Sequence, residues 1–175
     1  GQENRLTRTG EISFPHSLGH VYASVTGFLG FAMTCDEGKV MALASFGEDR
    51  YRDLFADLVR VEAGVLRVDT TLLDYHAARQ GVFSGNWLRR TGLAPRRPGD
   101  PIGREHKDLA CSLQRRIEDA VFALLPAKVS PGPRTPFCAA GGLFLNSVLN
   151  GRIVREYAPA FYIQPAAGDN GVSLG

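Results

Sequence analysis

Residues 136–175 constrain the fold most, because an apolar run, a glycine-bearing loop and a helical pattern follow one another there twice. PFCAA at 136–140 reads as a strand that runs into Gly141 and Gly142, and LFLNSVLNGRIVRE behind them has helical spacing. After a turn at Tyr157 to Pro159, AFYIQP at 160–165 reads as a second strand and AAGDNG at 166–171 as a loop of small residues, with a new helix from Val172. Strand, loop and helix in repetition predict an α/β layer whose edge suits phosphate. The sequence ends at Gly175, just as that helix begins, which is the expectation for a piece of a longer domain.

Upstream, the patterns are mostly helical. Leu18, Val21, Tyr22, Val25, Phe28 and Leu29 form an apolar stripe that predicts a helix over 17–31, with Ser17, after Pro15, as its N-cap. A polar turn, CDEGK at 35–39, leads into the apolar run VMALASF, which closes at Gly47. Leu54, Leu58 and Val61 predict a helix over 49–62, DRYRDLFADLVRVE. From Ala63 to Gly103 the pattern weakens: GVLRVDTTLLDYH has room for a strand, and APRRPGDPIGR at 94–104 reads as a surface excursion. Helical periodicity returns over 105–125 at Leu109, Leu113, Ile117, Ala120, Val121 and Leu124, until SPGPRTP at 130–136 breaks the chain. There is no internal repeat.

Bulk properties exclude several classes. A chain of 175 residues that is 44% hydrophobic is the size of one domain and can fill a core. With 20 basic against 18 acidic residues, the charge is too balanced to predict nucleic-acid binding. Trp87 beside Arg89 and Arg90 reads as an amphipathic surface rather than a nucleic-acid patch. Three widely spaced cysteines, Cys35, Cys111 and Cys138, form no CxxC pair, so reduced thiols and a cytoplasmic location are expected. GQENRLTRTG at the N-terminus lacks the apolar core of a leader, and no run reaches the roughly 18 apolar residues of a membrane span, so no membrane association is expected.

Several residues are candidates for chemistry. Gly141 and Gly142 let backbone approach a ligand, with a helix N-terminus behind them that suits an anion; taken alone, they are explained more simply by a tight strand-to-helix turn. Asn146 is placed either to offer an amide to a base or ribose or to stand as an exposed helix residue. Asp169, in a strand-end loop of small residues, suits a hard cation or an N-cap for the helix from Val172, and the two roles are not separable by sequence. Lys39 is either a phosphate contact or a solvated lysine, with Glu37 beside it to hold it. His16 and His20 have the i, i+4 spacing of a metal pair, but that spacing supplies no third ligand, and His20 flanks the apolar stripe. His76 and His106 receive no role, and neither a Ser/His/Asp order nor a carboxylate pair for glycoside hydrolysis stands out.

FPHSLGHVYASVTGFLGF, EGKVMALASFG, HKDLACSLQRRIEDA, CAAGGLFLNSVLNGRI and YIQPAAGDNGVSLG, in this order, resemble the NodU/CmcH-type carbamoyltransferases over nearly the whole chain. The resemblance implies part of an ATP-binding domain of the actin, Hsp70 and sugar-kinase superfold, related to the domain that makes threonylcarbamoyl-tRNA. In that family, carbamoyl phosphate and ATP give a carbamoyl-adenylate, and the carbamoyl group passes to a hydroxyl of a small molecule, often an antibiotic or a glycoside. Gly19 then matches a nucleotide-contacting turn, and Gly141, Gly142 and Asn146 match the glycine turn with its adenosine-contacting asparagine. Asp169 matches a ligand of a divalent metal, iron or magnesium, and Lys39 lies in a shared motif. LFLN stands where VALN is more usual, and ALASFG where GLAPYG is common; both changes keep the fold and bear on pocket shape. The family's HxxxH metal pair lies upstream of the matched region and its carbamoyl-phosphate domain downstream. The chain is therefore expected to be the second half of the nucleotide-binding domain and inactive alone. A phosphotransferase of the same superfold and a non-catalytic interaction domain are the rival expectations. The acceptor and the oligomeric state are not legible.

Overall fold

In the computed structural model, which describes residues 7–76, 83–128, 136–168 and 171, the helical patterns of the sequence mostly become helices. The order is α1 (Leu18–Phe28), α2 (Glu37–Ala44), α3 (Arg52–Leu58), β1 (Val59–Glu62), β2 (Val65–Val68), α4 (Gly85–Thr91), α5 (Arg104–Lys128), β3 (Phe137–Ala139), a 3-10 turn (Gly142–Leu145), α6 (Ser147–Glu156) and β4 (Phe161–Ile163). The result is a mixed α/β fold with two small two-stranded sheets among the described residues. None of the described helices is long and apolar enough to cross a membrane.

Helix α5 is the axis of the molecule. Its stripe of Leu109, Leu113 and Ile117 is fully buried, Ala120 and Val121 nearly so, against α1, α2, α3 and the first sheet. The helix runs three residues beyond the expected end, to Lys128, with Pro126 in its last turn, where the missing N–H forgoes one bond of the ladder. Ser17 caps α1 as predicted, its hydroxyl accepting from the His20 N–H at 3.3 Å. The run VMALASF lies mostly in α2, whose buried face is Val40 and Ala44. At the end of α2 the chain passes close over α5: a Cβ on Gly47 would land on the Lys107 carbonyl. Just beyond, the Glu48 N–H donates to Asp108 at 2.7 Å and the Tyr51 N–H to the Ser112 hydroxyl at 3.0 Å. Asp108 is only 3% exposed, and the Arg50 guanidinium lies 3.3 Å from its carboxylate.

The helix expected over 49–62 stops at Leu58. Val59 and Val61 are β-branched and pair antiparallel with Val68 and Leu66 across a turn at Ala63 and Gly64, both with positive φ. Val59, Leu66 and Val68 point into the core, an alternation the helical spacing of Leu54, Leu58 and Val61 conceals. Helix α4 lies in the region of weak pattern. Ser84 caps it, its hydroxyl accepting from the Trp87 N–H at 3.1 Å, and Gly92 ends it in the left-handed conformation. Trp87 is not a surface aromatic: it is fully buried, edge-on to Phe28 at 5.7 Å and to Phe55 at 5.9 Å.

Strands β3 and β4 are parallel neighbours, Phe137 opposite Phe161 and Ala139 opposite Ile163, with the 3-10 turn and α6 as the crossover between them. Phe137 and Phe161 stack at 5.1 Å, and α6 buries Leu149 and Ile153. The strand–glycine–helix–strand order of the sequence is thus realised, with a break at Asn146 where a continuous helix was expected.

Candidate functional site

The end of β3 is where backbone geometry departs from the ordinary. Gly141 has φ 106° and ψ 154°, a conformation essentially open only to glycine, and its N–H donates to the Ala167 carbonyl at 2.6 Å. That bond joins the loops that leave the two parallel strands, the position where open α/β sheets hold ligands. A Cβ on Gly141 or Gly142 would meet no atom of the described residues within 4 Å, so among these the glycines border open space. Gly142 then opens the 3-10 turn, whose first N–H groups have no partner inside the turn.

Asn146 ends this turn and caps α6. It is neither an exposed helix residue nor a free amide: it is buried, and its Oδ1 accepts from the Leu149 N–H at 3.0 Å and from Gln114 Nε2 at 3.1 Å. Its Nδ2 donates in return to Gln114 Oε1 at 2.8 Å. Gln114 also receives the Tyr22 hydroxyl at 3.0 Å and donates to Glu118 at 2.8 Å. Glu118 in turn lies 3.4 Å from Arg152 of α6, whose guanidinium packs over the Phe122 ring at 4.2 Å. Helices α1, α5 and α6 therefore meet in one buried polar chain directly behind the glycine turn. Burial, with smaller contributions from the charges of Glu37 and Glu118, pushes the Tyr22 phenol well above its ordinary 10.0, so it stays a donor.

The other candidates sit apart from this chain. Gly19 is exposed in the first turn of α1, and among the described residues a Cβ there would reach only the Ser17 hydroxyl at 3.7 Å. Lys39 is exposed on α2 and is held by Asp36 at 2.8 Å, not by Glu37. Glu37 instead accepts from the Thr34 N–H at 2.6 Å. The Lys39 ammonium holds the Asp36 carboxyl below its usual range, helped by the Ala32 N–H. His16 and His20 turn to different neighbours: His16 Nδ1 accepts from the Val68 N–H at 3.1 Å, and His20 stacks on Tyr75 at 5.4 Å. Asp169 lies outside the described residues. Among the described residues no group of three His, Cys, Asp or Glu side chains converges to hold a metal.

A groove of about 240 Å³ runs beside the polar chain, walled by Met41 and Ala44 of α2, Cys111 and Gln114 of α5, and Val148 of α6. Sequence reasoning passed over Gln114 and Tyr22. The usable signal was the run Ala110, Cys111, Ser112 ahead of Gln114: three small residues on a helix let neighbours approach on more than one side, which buries Gln114 with them.

A turn of this geometry occurs in unrelated proteins, and comparison with known sequences separates them. The family described as Carbamoyltransferase N-terminus matches residues 1–175. An uncharacterized protein of Synechocystis sp., sll1178, is 37% identical over 178 residues, covering 100% of this chain and 29% of its own length. Nodulation protein NolO of Bradyrhizobium diazoefficiens is 38% identical over 171 residues, covering 94% of this chain and 28% of its own. Nodulation protein NolNO of Sinorhizobium fredii is 34% identical over 168 residues, covering 93% and 23%. The chain spans less than a third of the length of these three relatives. With the family profile spanning every residue, glycine turn and polar chain included, this chain belongs to the carbamoyltransferase N-terminus family.

Proposed function

We propose that this chain is the second half of an actin/Hsp70/sugar-kinase-like nucleotide-binding domain in an ATP-dependent O-carbamoyltransferase, and that its glycine turn holds the nucleotide. The observation that carries the reading is Gly141, in a glycine-only conformation beside open space, at the head of the helix that Asn146 caps. Helix N-termini favour anions, and the glycines allow phosphate oxygens to approach backbone N–H groups without side-chain interference. Backbone donors at the turn suit phosphate, and the separate groove walled by Met41, Ala44, Val148 and Arg115 offers apolar surface and a cation.

In this reading water splits carbamoyl phosphate into carbamate and phosphate, and a carbamate oxygen attacks the α-phosphorus of ATP, so that pyrophosphate leaves and a carbamoyl-adenylate forms. The hydroxyl oxygen of a small-molecule acceptor, of antibiotic or glycoside type, then attacks the carbamoyl carbon, and AMP leaves. The chain's own contribution is to bind and orient: Gly141, Gly142 and Asn146 at the adenosine and phosphates, and Gly19 and Lys39 from α1 and α2. A divalent cation, iron or magnesium, would be held by Asp169 and would offset charge on the phosphates. Carbamoyl phosphate and catalysis require the rest of a longer protein, and this chain alone is inactive.

The test is an ATP titration of the whole protein, followed by carbamoyl-phosphate-dependent exchange of pyrophosphate into ATP, which needs no acceptor. Binding and exchange are expected in the whole protein, no exchange in the 175-residue chain, and weakened binding in Gly141→Ala. Exchange by the chain alone, or ATP affinity unchanged in Gly141→Ala, overturns the reading.

A further inference from the structure

Gln114 sits 5% exposed in the middle of α5, and all of its hydrogen-bonding capacity is engaged inside the protein. Its Oε1 receives Tyr22 at 3.0 Å and Asn146 at 2.8 Å, and its Nε2 serves Glu118 at 2.8 Å and Asn146 at 3.1 Å. A primary amide has two donors and two acceptor lone pairs, so nothing is left over. The direction of the amide is also set from outside. The Glu118 carboxylate, paired with Arg152, can only accept, which turns Nε2 toward it and leaves Oε1 for the phenol. Gln114 in turn dictates Asn146: the reciprocal pair, together with the cap bond to Leu149, uses three of the four places on the Asn146 amide. One Nδ2–H of Asn146 has no partner among the described residues.

We propose that Gln114 is a positioning residue for nucleotide binding, its amide holding that of Asn146 so that one Nδ2–H stays directed at the ligand of the glycine turn. The inference rests on the nucleotide reading above. A neutral side chain of similar length at this position leaves the Asn146 amide held by its cap bond to Leu149 alone and the Tyr22 hydroxyl without its acceptor. The cap of α6 survives such a change, because Asn146 itself is retained.

The test compares Gln114→Met, Tyr22→Phe and Gly141→Ala in the whole protein, titrating ATP and, separately, carbamoyl phosphate, with the melting temperature recorded. Gln114→Met is expected to raise the ATP Kd on the order of tenfold, the scale on which an outer partner tunes a ligating group. Binding stoichiometry and the carbamoyl phosphate Kd are expected to stay the same. A merely structural defect lowers the bound fraction and leaves the Kd of the folded molecules alone. Tyr22→Phe removes one hydroxyl and keeps the amide pair, so it serves if Gln114→Met does not fold; its expected effect is roughly threefold, that of one neutral hydrogen bond. An unchanged ATP Kd in the folded variant, with Gly141→Ala weakened, overturns the positioning role alone. An unchanged Kd in all three overturns the nucleotide reading with it.

Discussion

Asn146 shows how much a single side chain decides. It caps α6 and pairs with Gln114 in the interior, so Asn146→Ala removes a cap worth about 1 kcal/mol and leaves a buried amide short of partners, a further ~1–3 kcal/mol. Asn146→Ser restores the capping oxygen and is expected to recover about 1 kcal/mol of that loss in urea unfolding. Equal stability of the two variants would falsify the division into cap and pair. Tyr22 makes the same chain sensitive to alkali. Below its ordinary 10.0 both folded and unfolded states hold the phenolic proton; above it only the unfolded state releases it, so stability falls as pH rises. Tyr51, Tyr75 and Tyr157 are shifted the same way by burial, so Tyr22→Phe is expected to flatten part of the decline. Urea midpoints followed through pH 9 to about 11 measure it, and an undiminished slope in the variant counts against the shift. At this scale the sequence pointed to Gly141, Gly142 and Asn146 but not to the bonds of Asn146, since its partner Gln114 is 32 residues away.

Among the elements, the junction of α2 with α5 has a sharp steric condition. Gly47→Ala drives a Cβ into the Lys107 backbone, which cannot swing aside as a side chain can, and is expected to cost about 1–3 kcal/mol or more. Gly38, on α2, faces nothing within 4 Å among the described residues, so Gly38→Ala is expected to stabilise the helix by roughly 0.5–1 kcal/mol. Melting temperatures moving in opposite directions meet the expectation; a fall in both removes the distinction. Helices α1 and α5 were legible because a stripe of large apolar residues recurs every 3.6 positions and tertiary packing simply uses it. The α3–β1 boundary was not: Val61 falls in register with Leu54 and Leu58 as a helix residue, and only pairing with Leu66 makes it a strand residue. Helix α4 was missed because seven residues are too few to display a period, and its caps carry the signal instead.

For the molecule as a whole, the packing around α5 sorts the thiols. Cys35 and Cys138 are exposed, whereas Cys111 is buried and burial pushes its thiol up. A thiol reagent is expected to modify Cys35 and Cys138 rapidly in the native 175-residue chain, and Cys111 only once it unfolds. Rapid native labelling of Cys111, identified by mass spectrometry, would contradict the packing of α5. The sequence by itself determined the class of the fold, the glycine turn after β3 and the family, because these depend on local periodicity, on glycines and on residue order along the chain. The parallel pairing of β3 with β4, the burial of Trp87 and the union of Tyr22, Gln114 and Asn146 were decided only in the tertiary structure. Each is a contact between residues far apart in the chain, and its partner is chosen by burial and hydrogen-bond satisfaction, which no local window contains.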